Sequence, residues 1–189
     1  MLNLPTSIKG LANMKEFKIN VLELPAVVDK ITAGDKIFLS GTVYTARDAA
    51  HKKILELIET GAKLPFNLEN SAIYYAGPTP APNGLPIGSC GPTTSSRMNP
   101  YAPTLINLGV RCIIGKGEIG DEVSKALVEN KALYLCAIGG AGALAASCIT
   151  SSEVVAFEEL GCESIKRLTI KNFPLFCGVD CKGGNLFKR

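Results

Sequence analysis

A β-strand pattern runs directly into an amphipathic helix pattern between residues 35 and 61. The strand segment DKIFLSGTVYTA (35–46) is rich in β-branched and aromatic residues, which favour extended structure. The segment that follows carries four apolar residues at helical spacing, Ala50, Ile54, Leu57 and Ile58. The alternation then continues, with strand patterns over 71–77, 109–117 and 131–140 and helix patterns over 119–130 and 141–150. Strands that alternate with helices predict an α/β fold, here as a single compact domain.

The two ends of the chain carry weaker patterns. Residues 1–14 are expected to form a disordered N-terminal extension, which leaves residues 15–189 as the folded domain. Toward the other end, the sequence predicts a short helix, two successive strands and a frayed tail, over 153–161, 164–173, 174–181 and 182–189.

Composition and charge exclude several classes of protein. The net charge is +3 and aromatic residues are 6% of the chain, so neither nucleic-acid binding nor attraction to a membrane surface is indicated. No apolar run approaches the roughly 18 residues of a spanning helix, and the N-terminus lacks the basic segment of a signal peptide. Seven scattered cysteines and a single histidine indicate reduced thiols in a cytoplasmic protein, with no metal site formed by this chain.

The longest stretch without periodicity runs from Gly77 to Pro103 and contains CGPTTSSRMNPY (90–101). Loops of this length are uncommon in compact domains unless they serve a function. Four hydroxyl side chains stand in a row at positions 93–96, and Arg97 follows them. One interpretation is a site for a small carboxylic acid, in which hydroxyls donate, Arg97 binds bidentately and a threonine acts as a base. The other is an ordinary turn that starts a helix, and the residues alone leave both open.

Two further cations follow predicted strands. Arg47 lies in the first turn of a helix, where the dipole disfavours a cation, so it is a candidate for binding a carboxylate. The alternative is that Arg47 pairs with Asp48 or another carboxylate. Lys116 stands between glycines at the end of the third strand pattern, and its alternative is an exposed lysine without a role. His51 is predicted to face solvent or a partner rather than to act as a base. Arg47, Arg97 and Lys116 together suit a dicarboxylic acid.

Five segments together resemble the β subunit, or C-terminal domain, of class I iron–sulfur fumarate hydratases and the related tartrate dehydratases. They are SGTVYTARDAAHKK, YYAGPTPA, IGSCGPTTSSRM, IIGKG and IGGAGALAA. The resemblance covers about residues 35 to 180, and GPTTSSRM together with ARDAAH is its most specific part. The family often has Ala-Gly where this chain has Ser95-Ser96, which is a departure between small residues.

The resemblance implies a swivelling β/β/α domain that acts as an enzyme subunit. The implied reaction is the reversible hydration of fumarate to (S)-malate, or else the dehydration of tartrate or another hydroxy-dicarboxylate. A [4Fe–4S] cluster would be held by three cysteines of a separate α subunit, with one iron left open to the substrate as a Lewis acid. The implied assembly is a hetero-oligomer, αβ or α₂β₂, in which this chain is inactive alone.

Residue by residue, the resemblance implies that Thr93 is the catalytic base at the carbon-bound proton, together with an aspartate of the partner chain. Arg47, Arg97 and Lys116 match substrate-binding cations, which would stabilise the charge that develops on the neighbouring carboxylate. The alternative from another class is a non-catalytic dicarboxylate-binding or interaction module of the same fold. Loss of Thr93 or of the cations would mark such a module, and the sequence retains all of them.

Overall fold

The computed structural model describes residues 14–82 and 84–188, so residues 1–13 of the expected N-terminal extension lie outside it. Within this part, the chain forms one mixed sheet of seven strands. The strands are β1 (Glu16–Asn20), β2 (Lys36–Thr45), β3 (Ala72–Tyr74), β4 (Cys112–Gly115), β5 (Leu133–Cys136), β6 (Ile149–Ala156) and β7 (Ile165–Val179). The α-helices are α1 (Leu24–Val27), α2 (Asp48–Glu59), α3 (Ala102–Asn107), α4 (Asp121–Glu129) and α5 (Gly142–Ser147). The predicted α/β class and single compact domain are confirmed.

The helices of this part of the chain all fall short of the length and apolar character that crossing a membrane requires.

Four neighbouring strands, β2 to β5, run parallel, and β7 closes their pairings into a ring. β2 pairs with β3, β3 with β4, and β4 with β5, all in parallel. The long β7 is antiparallel to β2 over residues 167–176 and antiparallel to β5 over residues 176–179. β1 pairs with the first half of β2 and β6 with the first half of β7, which extends the sheet beyond the ring. Because β2 to β5 are parallel, their carboxyl ends all lie at one end of the ring.

Alternate residues of the short parallel strands pack into two separate hydrophobic clusters. Ala72 and Tyr74 of β3 belong to one cluster with residues of β2 and β7, whereas Ile73 belongs to the other with residues of α2, α3 and α4. Both faces of these strands are therefore covered, which explains their near-continuous apolar sequences. Ala50 and Ile54 of α2 are fully buried, and this confirms the predicted amphipathic helix.

The helix predicted over 153–161 is wrong. These residues form the second half of β6 and most of a 3₁₀-helix, Glu158–Glu163. Glu153 pairs with Arg167 across the antiparallel register between β6 and β7. Pairing of this kind depends on a partner strand that is distant along the sequence, and it overrides the local helical preference.

The two strands predicted within 164–181 form one continuous strand, β7. Residues 171 and 172 lie opposite the single residue Ser40, and the Asn172 amide donates to Ser40 Oγ at 2.9 Å. An extra residue of this kind bends a strand without ending it. The strand therefore continues through Pro174, which is paired with Phe38.

The C-terminal segment is bound to the rest of the domain, so the prediction of a frayed tail is wrong for residues 182–188. The Leu186 N–H donates to the Gly178 carbonyl at 2.9 Å. The buried Asp180 carboxylate accepts hydrogen bonds at 2.8, 2.8 and 2.9 Å from three backbone amides, those of Ala33, Lys182 and Gly184. Hydrogen bonds to an ionised group are stronger than neutral ones, so this carboxylate fixes the tail.

A second buried carboxylate, that of Asp35, joins the residue before β1 to the turn before β2. Oδ1 accepts from the Lys15 N–H at 2.9 Å, and Oδ2 accepts from the N–H and the hydroxyl of Thr32, both at 2.8 Å. Burial by itself would raise the pKa of Asp35. The hydrogen bonds and the nearby charge of Lys15 outweigh burial and hold the pKa below its usual 3.8.

Asp35→Asn is expected to flatten the acid side of the stability profile. Because the folded-state pKa is depressed, ionised Asp35 stabilises the fold above the unfolded-state pKa of about 3.9, and this contribution disappears as the pH falls through the folded-state pKa. Urea unfolding between about pH 7 and about pH 2 measures the difference. Asp29→Asn is the control, since Asp29 forms an exposed pair with Lys131. Parallel profiles for Asp35→Asn and the wild type would contradict the assignment.

Candidate active site at the carboxyl ends of the parallel strands

The carboxyl ends of β2 and β3 bring distant segments of the chain together. Ala46, which follows β2, donates its N–H to the Tyr74 carbonyl at the end of β3, at 3.1 Å. The Tyr75 carbonyl accepts from the Thr93 N–H at 2.6 Å, so the long loop returns to the sheet at this point. Arg47 comes directly after Ala46. Arg47 and Thr93 therefore both lie beyond strand ends, where ligand sites of α/β sheets commonly form.

The loop that leads to the hydroxyl row is held by hydrogen bonds to the sheet and by hydrogen bonds within the loop. The buried Tyr74 hydroxyl donates to the Cys90 carbonyl at 2.6 Å. Within the loop, the Thr79 N–H donates to the Ser89 carbonyl at 3.0 Å. A Cβ on Gly88 would lie 2.3 Å from Thr79 Oγ1, so the close approach of the two arms of the loop requires glycine. These contacts deliver the four hydroxyls to the strand ends along a defined path.

The four hydroxyl side chains at positions 93–96 lie in different environments. Thr93 is half-buried, Ser95 is buried, and the other two are exposed. A 3₁₀-helix, Ser95–Met98, begins within the row and carries Arg97. The interpretation as a turn that starts a helix is therefore correct for part of the row. The Thr93 hydroxyl makes no hydrogen bond within residues 14–82 and 84–188, so its donor and acceptor remain available.

Ser95 ties the row to β4 and β5. Its N–H donates to the Lys116 carbonyl at 2.9 Å, and its Oγ lies 2.8 Å from the Tyr134 hydroxyl. Tyr134 gives its one proton to the Gly117 carbonyl at 2.7 Å, so Ser95 is the donor in the bond between the two hydroxyls. The Ser95 hydroxyl thus has a structural role, because its proton is used in the bond to Tyr134.

Lys116 lies beside the hydroxyl row at the end of β4. Its backbone pairs with Thr94 in an isolated parallel bridge. Its side chain is half-buried and passes close to Gly139, where an added Cβ would lie 3.8 Å from Lys116 Cδ. In the part of the chain that the structure describes, Lys116 forms no salt bridge. Lys116 is therefore partly exposed and unpaired among the described residues, and its assignment as a substrate-binding cation stays a prediction.

Arg47 and Arg97 are held in a row of alternating charges, Glu163, Arg47, Asp48 and Arg97, which we call the charge row. Nη2 of Arg47 lies 3.3 Å from Glu163 Oε1, and Nε of Arg47 lies 4.0 Å from Asp48 Oδ2. Nε of Arg97 donates to Asp48 Oδ1 at 3.0 Å, and its Nη2 lies 2.9 Å from Oδ2. Arg47 therefore pairs with a carboxylate, as the alternative for this residue predicts. The same pairing brings both arginines to Asp48.

Arg47 is the more enclosed of the two arginines. Its side chain is 20% exposed, against 49% for Arg97. A Cβ on Gly77 would lie 2.8 Å from Nη1 of Arg47, so a larger residue at this position would displace the guanidinium group. Nε of Arg47 is buried and has no hydrogen-bond partner among the described residues. A buried donor without a partner is costly, so Nε is a candidate donor to a bound carboxylate.

His51 is buried, so the prediction that it faces solvent or a partner is wrong. Its spacing of three residues from Ile54 places it on the buried face of α2. The ring packs against Tyr75 and Tyr101, with centroid distances of 5.3 and 5.6 Å. Nδ1 donates to the Arg47 carbonyl at 2.9 Å, because a carbonyl can only accept. Burial lowers the pKa of His51 to about 4, so the neutral imidazole holds the backbone of Arg47 and stays uncharged near neutral pH.

The cysteines of the described chain do not form a metal centre. Residues 14–82 and 84–188 contain no group of three or more Cys, His, Asp or Glu side chains that could hold a metal ion. Four of the seven free thiols are buried, those of Cys90, Cys112, Cys177 and Cys181. Burial raises the pKa of Cys90 to about 12, which disfavours the thiolate that iron requires. The donors of this part of the chain therefore do not fit a [4Fe–4S] cluster.

Two further residues hold the site in place, and the sequence indicates one of them but not the other. Glu163 pairs with Arg47 and accepts from the Ala49 N–H at 3.1 Å, yet no spacing connects it with α2. Its position depends on the turn between β6 and β7. Tyr134 does carry a signal, because a buried tyrosine hydroxyl in an apolar strand needs a hydrogen-bond partner.

The chain is similar to proteins of two kinds, which differ in length. The family model described as Fumarase C-terminus matches residues 3–189. A protein named fumarate hydratase class I, anaerobic, from Escherichia coli (strain K12) is 39% identical over 169 residues, which are 88% of this chain and 31% of that protein. A putative L(+)-tartrate dehydratase subunit beta from Methanocaldococcus jannaschii is 39% identical over 167 residues, 85% of this chain and 86% of that protein. The L(+)-tartrate dehydratase subunit beta of Escherichia coli (strain K12) is 37% identical over 161 residues, with coverages of 82% and 79%. The chain thus spans less than a third of the fumarate hydratase and most of each β subunit.

Proposed function

The chain belongs to the fumarase C-terminus family, and we propose that it is the β subunit of a class I fumarate hydratase, which hydrates fumarate reversibly to (S)-malate. The observation that carries the proposal is the gathering of one hydroxyl and three cations beyond the ends of β2, β3 and β4. The Thr93 N–H donates to the Tyr75 carbonyl. Both Arg47 and Arg97 lie against the Asp48 carboxylate. The backbone of Lys116 pairs with that of the residue after Thr93.

The chemistry of these residues suits a dicarboxylate. In the dehydration direction, a base removes a proton from the carbon next to a carboxylate, and negative charge builds up on that carboxylate. Thr93 is the base in this proposal, together with an aspartate of the partner chain. Arg47, Arg97 and Lys116 bind the two carboxylates and stabilise the developing charge more strongly in the transition state than in the ground state.

The proposed site is completed by a second chain. Arg97 is half exposed and Thr93 is half-buried, so the residues named here face an open surface. The [4Fe–4S] cluster that the class implies is assigned to a separate α subunit, since the cysteines described here do not fit one. We assign an αβ or α₂β₂ assembly and a swivelling β/β/α domain. Seven free thiols support the proposal of a reducing, cytoplasmic compartment.

Fumarate hydration is expected only when this chain is mixed anaerobically with a cluster-bearing α subunit from the same source. Loss of the ultraviolet absorbance of fumarate measures turnover, and each chain alone is the control. Turnover by the mixture alone would support a site shared between subunits. A complex with an intact cluster and no turnover of fumarate or malate would contradict the proposed substrate.

A tartrate or another hydroxy-dicarboxylate is the second candidate substrate. The observation that favours it is length, because the chain covers 86% and 79% of two proteins named as tartrate dehydratase β subunits. Three cations suit any dicarboxylate, so the described residues do not separate the two substrates. Comparison of kcat/KM for fumarate, malate, tartrate and a methylated fumarate decides between them.

The alternative from another class is a non-catalytic module, which would bind either a dicarboxylate or a partner protein. It predicts tight binding of fumarate or malate by the isolated chain, which calorimetry measures directly. The shared-site proposal predicts weak binding instead, because the isolated chain supplies one part of the contacts.

A further inference from the structure

Asp48 lies in an environment that an ordinary surface ion pair does not explain. Its Oδ2 is buried and makes no hydrogen bond within the described residues. That oxygen lies 2.9 Å from Nη2 of Arg97 and 4.0 Å from Nε of Arg47, which is itself buried without a partner. A buried carboxylate oxygen is costly unless positive charge lies close to it. The charge on Asp48 is therefore balanced by the two arginines assigned to the substrate.

The contact between Asp48 and Arg97 engages one side of the guanidinium group. Nε donates to Oδ1 at 3.0 Å and Nη2 faces Oδ2, while Nη1 has no hydrogen-bond partner in the described part of the chain. A guanidinium group carries five N–H donors, so a side-on contact leaves enough of them for a second, end-on contact with another carboxylate. Asp48 can thus hold Arg97 without blocking it.

We propose that Asp48 is a positioning residue, which fixes the Arg97 guanidinium group before the substrate arrives. The inference rests on the proposed function and adds to it a residue that need not touch the substrate. Arg97 is 49% exposed and long, so without a fixed partner it would lose much side-chain freedom on binding a carboxylate. The carboxylate between Arg47 and Arg97 also reduces the repulsion between two cations that must face the same ligand.

A purely structural role makes a different prediction. Asp48 is the first residue of α2, where an acidic side chain favours the helix dipole. Asp121 is the first residue of α4 and is paired with Lys188, so Asp121→Asn is the same change at the same helical position away from the site. A helix-terminal role would give the two variants similar effects on thermal unfolding and on turnover.

The test is a double-mutant cycle in the reconstituted complex with fumarate as substrate. Asparagine keeps the size of Asp48 but removes its charge and turns an N–H₂ group toward the arginines. Asp48→Asn is expected to lower kcat/KM by about 10- to 100-fold in the wild-type background and by less than about threefold in the Arg97→Ala background. Asp121→Asn is expected to stay within about twofold of wild type in both backgrounds. An equal loss from Asp48→Asn in the two backgrounds would overturn the proposal.

A second measurement separates this inference from the proposed function. In the isolated chain, the Nε–H proton of Arg97 should exchange slowly with water in the wild type and in Asp121→Asn, and rapidly in Asp48→Asn, as nuclear magnetic resonance can follow. If a wild-type complex with an intact cluster fails to hydrate fumarate, the proposed function is wrong, while the exchange rate still decides whether Asp48 fixes Arg97. Unchanged exchange in Asp48→Asn would overturn the positioning role even if the complex is active.

Discussion

Thr93→Val is expected to lower fumarate turnover by the reconstituted complex by about 10²- to 10⁴-fold, the range typical of losing a general base. Valine has nearly the shape of threonine, and the Thr93 N–H, which bonds to the Tyr75 carbonyl at 2.6 Å, is retained. The change therefore removes a hydroxyl with little disturbance of the loop. We expect assembly with the α subunit to be unaffected and the loss to appear in kcat, because the hydroxyl acts on the carbon-bound proton.

The matched control for Thr93 is the next residue in the row. Thr94→Val makes the same change on an exposed side chain, and turnover should stay within about threefold of wild type. Thr93→Ser keeps a hydroxyl at the strand end and should restore a large part of the activity. Near-normal kcat in Thr93→Val, or an equal loss in Thr94→Val, would remove Thr93 from the role of base.

The meeting of Arg47 and Lys116 could be predicted because each comes almost directly after a strand that the sequence marks clearly, whereas Thr93 reaches them through the long loop, where its N–H donates to the Tyr75 carbonyl. Carboxyl ends of parallel strands lie on the same side of a sheet, so polar residues that follow them are brought together whatever the loops do. The carboxylate that pairs with Arg47 could not be predicted in this way. Glu163 reaches Arg47 through the turn between β6 and β7, and that turn depends on the register of two antiparallel strands.

The same distinction applies to the fold. α2 and α4 are amphipathic and are stabilised by residues near in sequence, so their positions follow from spacing alone. β6 lies at the edge of the sheet and is largely exposed, so its sequence could equally form a polar helix. Its pairing with β7 makes it a strand. β1 is five residues long, and each of its residues pairs in parallel with a residue of β2 that lies twenty positions further along the chain. Neither strand has a local pattern that distinguishes it from a helix or a loop.

The burial of His51 is indicated by its spacing along α2 and not by its residue type. Histidine is intermediate in burial as a residue type, whereas the three-residue spacing of His51 from Ile54 matches the buried face of α2. The ring is accommodated because one nitrogen donates to the Arg47 carbonyl and the ring stacks on Tyr101 and makes a T-shaped contact with Tyr75. Spacing was therefore a better guide here than residue type.

Arg97→Ala is expected to lower kcat/KM for fumarate by about 10²- to 10³-fold, the range seen when one donor to a developing negative charge is removed. The guanidinium group offers a planar pair of donors to a carboxylate, and an ammonium group cannot reproduce that geometry. Arg97→Lys should therefore recover part of the loss and not all of it. The 3₁₀-helix that carries Arg97 should be retained, because Met98 is buried in the core and the Ser95 bonds do not involve Arg97.

Arg167→Ala is the matched control for Arg97→Ala. Arg167 is 51% exposed and pairs with Glu153 on the neighbouring strand, so it has the exposure and the ion pairing of Arg97 without the contact with Asp48. Exposed ion pairs contribute little to stability, so Arg167→Ala should leave kcat/KM within about twofold of wild type. Equal losses from the two changes would mean that general surface charge attracts the dicarboxylate. A large loss of kcat/KM in Arg97→Ala alone, with assembly with the α subunit less affected, would mean that a carboxylate is bound at the charge row itself.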